Sequence, residues 1–440
     1  MPSDRSDPAS TAARQFEVVI VGGGAGGVEL ACKLGRSLGP PGRSRVLLVD
    51  RSARHIWKPT LHEVAAGTLD ANQEGLSYLS LARRNHFSFA LGTLQDLKAS
   101  AHRLTLAELQ DPSGELILPP RTIGWRWLVL ATGSGSNFFG TPGAEEHTFV
   151  LECAADAERF RAELLIAFTK ASYQPPRVLK LAVVGGGATG VELCAELRES
   201  HREWLQSVRP ESAFGFELTI VEAADRILSY LPERLSAQAA KALRRQDVKL
   251  LTGTQVTAVR DGALVTSHGE VAADLIVWAA GIKAADHNAA LGLEVNRKNQ
   301  FVVDGQLQTS APDVLAMGDC AACPWHEGQQ VPARAQAAHQ QADFLLQSLR
   351  QRLQGQDPGG ACFEYRDFGS LVSLGENHGV GNLMGSLSGR DFFISGLLAK
   401  WMYMSLHLNH HRALLGIPGT AVLALARLLQ RRVSGRVKLH

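Results

Sequence analysis

Two glycine clusters hold the residues whose spacing most plainly does chemistry. Residues Gly22–Leu34 read GGGAGGVELACKL and Gly185–Leu197 read GGGATGVELCAEL, identical at nine of thirteen positions with a constant offset of 163. Each contains the G-x-G-x-x-G spacing, as Gly22, Gly24 and Gly27 and again as Gly185, Gly187 and Gly190. At that spacing the first glycine permits a tight turn, the second lets the backbone approach a pyrophosphate, and the third lets a helix pack closely on a strand. The helix that follows offers free N–H groups and the positive end of its dipole to the phosphates. A dinucleotide also needs a carboxylate at the end of the next strand for its ribose hydroxyls. RVLLVD places Asp50 there, 23 residues after Gly27, and FELTIVE places Glu222 there, 32 residues after Gly190. A carboxylate repels a 2′-phosphate, so the second site is expected to favour NADH over NADPH. Arg226, four residues on, could soften that preference.

The elements that must position these residues are readable around them. FEVVIV (Phe16–Val21) and LKLAVV (Leu179–Val184) are short apolar runs of the kind that form buried parallel strands. WLVLATG (Trp127–Gly133) and LIVWAAG (Leu275–Gly281) each end in a small residue followed by glycine, Gly133 and Gly281, which suits chain crossing beside a cofactor. AQAAHQQADFLLQSLRQRL (Ala335–Leu353) reads as a helix. The expected fold class is α/β, with two Rossmann-like dinucleotide-binding domains and a C-terminal region of different character. A chain of 440 residues with 45% hydrophobic and 20% charged residues has ample material for such cores, which excludes wholesale disorder. A net charge of +2 is too balanced for nucleic-acid binding through overall charge. Six cysteines do not make a disulfide scaffold, and MPSDRSDPASTAARQ lacks the apolar stretch of a signal peptide, so a reducing cytosol is expected.

TSAPDVLAMGD (Thr309–Asp319) resembles the second FAD signature of two-dinucleotide-domain flavoproteins. That likeness implies that Asp319 holds the ribityl chain and that Gly318 lets the flavin approach the backbone. FAD then belongs to the first fingerprint and NADH to the second. WKPTLHEVAAG (Trp57–Gly67), ATGSGSNFFGTPG (Ala131–Gly143), GGGATGVELCAEL, WAAG, GDCAACP (Gly318–Pro324) and AQAAHQQ (Ala335–Gln341) follow in that order. Together they resemble type II NADH dehydrogenase, the non-proton-pumping NADH:quinone oxidoreductase of respiratory chains, from about Phe16 to the C-terminus. The resemblance implies that NADH gives a hydride to FAD and that two electrons then pass to a membrane quinone. It also implies that Lys58 and Thr132 lie near FAD, that Glu192 lies where the nicotinamide and quinone chemistry meet, that Gln336 and Gln340 line the quinone side, and that His339 relays protons. Glu192 sits one turn inside a helix, as does its repeat mate Glu29; burial would raise such a carboxyl's pKa and suit proton delivery. The expected domains are a tail over 1–14, an FAD-binding domain over 15–145 and 296–362, an NADH-binding domain over 146–295, and a C-terminal region over 363–440.

From Phe392 to His440 there are seven Lys and Arg and no Asp or Glu. Phe393, Leu397, Trp401, Met404 and Leu408 recur at helical spacing, as do Val422, Leu425, Leu429 and Val433, with Arg427 and Arg431 on another face. The uncharged stretch Ala413–Ala426 has 14 residues and is interrupted by Gly416-Ile417-Pro418-Gly419. At 1.5 Å per residue it reaches about 21 Å, short of the roughly 30 Å hydrocarbon core. The expectation is a helix lying in the interface of an anionic inner-membrane leaflet, held by Arg427, Arg431 and Arg432, with the chain peripheral on the cytoplasmic face of a bacterial inner membrane. A homodimer is left open. Two rival readings are a sulfide:quinone oxidoreductase, with Cys153 and Cys320 in suggestive regions, and a nucleotide-sensing binding protein. Cys320 and Cys323 form a lone CxxC read as small buried thiols, and no metal-ligand cluster is read from the sequence.

Overall fold

The computed structural model describes residues 14–174, 178–375, 379–384, 391–395 and 397–433. The chain forms two compact units, one of Met1–His55, Ser77–Gly133 and Ala284–Tyr365, the other of Ile56–Leu76, Ser134–Lys283 and Arg366–His440. In the first, the strand Arg14–Val21 pairs in parallel with Val46–Asp50 on one side and Arg121–Leu130 on the other. Ser88–Leu91 extends the sheet beyond Val46–Asp50, and Val314–Ala316 pairs in parallel with Arg121–Leu130. Numbered along the chain, the parallel strands stand 3-2-1-4-5, the doubly-wound order in which ligands bind beyond the carboxyl ends of the strands. The core strands read VVIV and VLLV because both faces are covered.

The second unit repeats the plan. Val248–Leu251, Gly215–Val221, Val178–Val184 and Leu275–Trp278 form a four-stranded parallel sheet in that spatial order, again 3-2-1-4. The helices Ala25–Leu38 and Ala188–Ser207 follow the two first strands, as the glycine spacing requires. The division differs from the expected one: Ile56–Leu76 and 134–145 join the second unit, 284–295 the first, and Arg366–His440 belongs to the second unit instead of standing apart. The helix Leu61–Ala66 buries Leu61, Val64, Ala65 and Ala66 among Phe160, Leu164 and Val191, and Ser200 donates to the Ala66 carbonyl at 2.5 Å.

Beyond Arg366 the strands Ser370–Ser373, Gly379–Met384 and Asp391–Ser395 form an antiparallel sheet, and a helix runs over Leu397–Val433. Gly416 breaks that helix with φ 71° and ψ 174°, and Pro418 follows, so the expected interruption is a kink. Among the described residues no helix is long and apolar enough to cross a membrane. Residues 1–13 of the expected tail lie outside the described residues, as do the side chains of Phe393, Leu397, Trp401, Met404, Arg431, Arg432 and Val433.

Candidate functional site: two dinucleotide cradles

In the first unit each fingerprint glycine has its own reason. Gly22 has φ +106°, and a Cβ there would lie 2.2 Å from the Ala131 carbonyl oxygen. A Cβ on Gly27 would lie 1.9 Å from the Gly22 oxygen, so helix and strand pack at glycine distance. Gly24 differs: its φ is −59° and nothing lies within 4 Å of where a Cβ would stand. The approach to the start of the helix Ala25–Leu38 is therefore open at that position. Asp50 closes the turn, accepting from the Gly23 N–H at 2.6 Å and the Ser52 N–H at 2.7 Å. Burial pushes its carboxyl up, against the pull of those two N–H groups. Tyr78 donates to the Gly23 carbonyl at 2.7 Å, and His55 Nδ1 lies 2.9 Å from it, fixing the loop from behind.

Gly133 (φ +75°), Gly318 (φ +72°), Thr132 and Asp319 follow the strands Arg121–Leu130 and Val314–Ala316, which lie parallel to the fingerprint strand. All four therefore stand at the carboxyl end of the sheet, where the topology requires a ligand. The Gly318 N–H donates at 2.7 Å to Oε1 of Gln341, which is buried. Gln341 was not among the residues read from the sequence; Gln336 and Gln340 were, and both lie half-buried in the early turns of the helix Ala335–Leu353.

The second unit reproduces the cradle. Gly185 has φ +108° and faces the Ala279–Ala280 backbone, a Cβ on Gly190 would lie 2.1 Å from the Gly185 oxygen, and Gly187 opens onto space. Glu222 accepts from the Gly186 N–H at 2.5 Å and the Ala224 N–H at 2.8 Å. Arg226, expected to soften the preference for NADH, donates within its own loop, to the Leu231 carbonyl at 2.8 Å and the Ser229 carbonyl at 2.6 Å. Gly281, with φ +66°, lies three residues beyond the fourth strand.

The repeat mates Glu29 and Glu192 part company. Burial pushes Glu29 up, but the hydrogen bond and charge of His339 and the charge of Lys33 outweigh it and leave the carboxyl below its ordinary range. His339 Nδ1 thus faces Glu29, and Lys33 goes on to Asp343, tying the helices Ala25–Leu38 and Ala335–Leu353 together. Glu192 is 6% exposed; Oε1 accepts from the Ser373 N–H at 2.9 Å, and Oε2 lies 3.5 Å from Nδ1 of His62, which is 2% exposed. Burial pushes Glu192 well above the ordinary range, opposed by the Ser373 N–H and reinforced by Glu63 and Glu196. Burial also pushes His62 down to about 4, so burial disfavours the charged form of both partners in this contact. The sequence reading missed His62, although it stands in the WKPTLHEVAAG motif beside Lys58. Lys58 itself is exposed and donates to the Ser134 carbonyl at 2.7 Å.

The thiols are not poised to react: burial raises Cys320, and raises Cys323 to about 11. At the C-terminal helix, Arg427 does not reach outward as expected. It pairs with Glu74, and its Nη2 lies 3.4 Å from His411 Nε2. Ligand atoms of Glu74, His407 and His411 lie within 4.8 Å of one another, with that guanidinium among them.

The pyridine nucleotide-disulphide oxidoreductase family matches residues 16–342. A type II NADH:quinone oxidoreductase of Haemophilus influenzae is 37% identical over 96% of this chain and 99% of its own length. Among solved structures, NDH2 from Plasmodium falciparum in complex with NADH superposes with a TM-score of 0.80 at 16% identity, covering 96% of this chain and 99% of its own. The sulfide:quinone oxidoreductase of Aquifex aeolicus superposes at 0.71 and 16% identity, with 95% of both chains covered. These two superpositions establish a shared fold and do not separate the two chemistries.

Proposed function

The chain belongs to the type II NADH:quinone oxidoreductases, within the pyridine nucleotide-disulphide oxidoreductase family, and on that premise we infer how its residues divide the work. It oxidises NADH and reduces a quinone, without ion pumping, with FAD as its cofactor. Bound FAD supplies a two-electron carrier between the two substrates. The first cradle, Gly22, Gly24, Gly27 and Asp50 with Gly318 and Asp319, has the open phosphate approach and strand-end carboxylate that suit FAD. The second, Gly185, Gly187, Gly190 and Glu222 with Gly281, suits NADH. Lys58, Thr132 and Gly133 complete the flavin side in this reading, and Gln336 and Gln340 the quinone side. His339 keeps its expected proton-relay assignment only through Glu29, the carboxylate it faces.

Glu192 is assigned the proton. Quinone takes up two electrons and two protons, whereas a hydride brings two electrons and one proton, so the second proton comes from the medium. A buried carboxyl whose hold on its proton is pushed well above the ordinary carboxylate range by burial can deliver it. The C-terminal helix supports a peripheral position on the cytoplasmic face of the membrane, where a lipid-dissolved quinone is accessible. Ile417, Val422, Leu425 and Leu429 are exposed apolar side chains in its second half. An anionic leaflet is the partner that the basic, acid-free end of the chain favours.

One observation carries this reading: two open glycine cradles in one chain, each with a strand-end carboxylate turned onto its loop. Purified FAD-loaded protein given NADH and a short-chain quinone should form NAD⁺ and quinol in equal amounts, and sulfide in place of NADH should form none. Quinol formed from sulfide but not from NADH would replace the reading with its rival.

A further inference from the structure

Phe139 is anomalous three times over. It is a non-glycine residue at φ +52°, it is 66% exposed, and its ring lies on Gly281, where a Cβ would come within 2.3 Å of Phe139 Cζ. The left-handed conformation costs an aromatic residue free energy and persists only where surrounding bonds impose it. Those bonds are present. The Asn137 N–H donates to the Gly281 carbonyl at 3.2 Å, Trp278 Nε1 donates to the Asn137 carbonyl at 3.0 Å, and the Phe139 N–H donates to Asn137 Oδ1 at 3.0 Å. The turn Asn137–Gly140 is thus clamped to the end of the strand Leu275–Trp278, with one ring face on bare backbone.

The sheet order says what lies above that ring. Glu222 ends the second strand and marks the adenosine-ribose side, while the pyrophosphate belongs at the glycine loop of the central strand. A dinucleotide entering from Glu222 and crossing that loop must extend over the fourth strand, which ends at Trp278, three residues before Gly281. We propose that Phe139 is a stacking platform for the nicotinamide half of NADH, a positioning residue that takes one face of the ring and leaves the other for hydride transfer. Gly281 serves it by having no side chain to lift the phenyl ring off the strand end.

This proposal rests on the second unit being the NADH site, and the test separates the two. Phe139→Ala and Phe139→Tyr are compared with the FAD-loaded parent for KM of NADH and for inhibition by ADP-ribose, which lacks the nicotinamide. The Ala variant should raise KM for NADH about two- to ten-fold, the span of one stacked aromatic pair. ADP-ribose inhibition should be unchanged, and the Tyr variant should restore KM. Phe139→Gly should raise KM for NADH similarly while raising the thermal midpoint, because glycine relieves the left-handed strain; a ring that merely packs would lower the thermal midpoint and leave KM unchanged. Equal changes for NADH and ADP-ribose, or no change for either, would overturn the platform. A parent enzyme that fails to oxidise NADH at all would overturn the site assignment instead.

Discussion

Glu192 and Glu29 occupy the same place in a repeat, and their surroundings push one carboxyl well above its ordinary range and hold the other below it. In the unfolded chain the Glu192 carboxyl ionises near its ordinary 4.5, whereas the folded protein holds its proton to higher pH. Between those values the folded state binds more protons, so Glu192 makes stability fall as pH rises. Glu192→Gln cannot ionise. Its thermal midpoint relative to the parent should therefore be least favourable at and below about pH 4.5 and should improve as pH rises above it. The same variant should reduce quinone about 10²-fold more slowly while NADH reduces the flavin at an unchanged rate, measured by separate half-reactions. The cradle glycines give a sharper residue-level contrast. Gly187 has φ −74° and open space beyond, so Gly187→Ala should melt like the parent and yet raise KM for NADH at least about ten-fold, since the new methyl meets only the pyrophosphate. Gly190→Ala places a Cβ 2.1 Å from the Gly185 oxygen and should lower the thermal midpoint as well.

Among the elements, the strand-end carboxylate and the C-terminal helix each carry a separable function. Arg226 donates within its own loop, and the carboxylate turned onto the glycine loop is that of Glu222. Glu222→Gln should narrow the ratio of kcat/KM for NADH over NADPH about ten-fold, chiefly by admitting NADPH. For the helix, Arg427 is a poor probe of membrane binding because its removal also strands Glu74. Leu425→Glu with Leu429→Glu acts on exposed positions and should release the protein from anionic vesicles in a flotation assay, with melting unchanged. These elements also mark what a sequence displays. Strands, fingerprint helices and the helix Ala335–Leu353 were legible because glycine spacing and apolar periodicity act over a few neighbouring residues. Gln341 was not, since adjacent glutamines differ by about 100° around a helix and only packing says which faces Gly318. The pairing of Glu192 with His62, and of Arg427 with Glu74, joins residues more than a hundred positions apart, beyond the reach of local pattern.

As a whole, the molecule takes a hydride from NADH and hands two electrons to a quinone. Its net charge is +2, and its basic residues outnumber its acids most at the C-terminal end, where Phe392–His440 holds seven Lys and Arg and no Asp or Glu. The fold is shared with a sulfide:quinone oxidoreductase, so architecture alone cannot decide the electron donor. The 37% identity to a type II NADH:quinone oxidoreductase supports NADH as the donor, and the second cradle is the place proposed for it. Anaerobic mixing of the FAD-loaded protein with one equivalent of NADH, followed by a quinone in vesicles, tests this most directly. The flavin absorbance should bleach with NADH and return fully with quinone; absorbance that NADH leaves untouched, or that sulfide bleaches in its place, would contradict it.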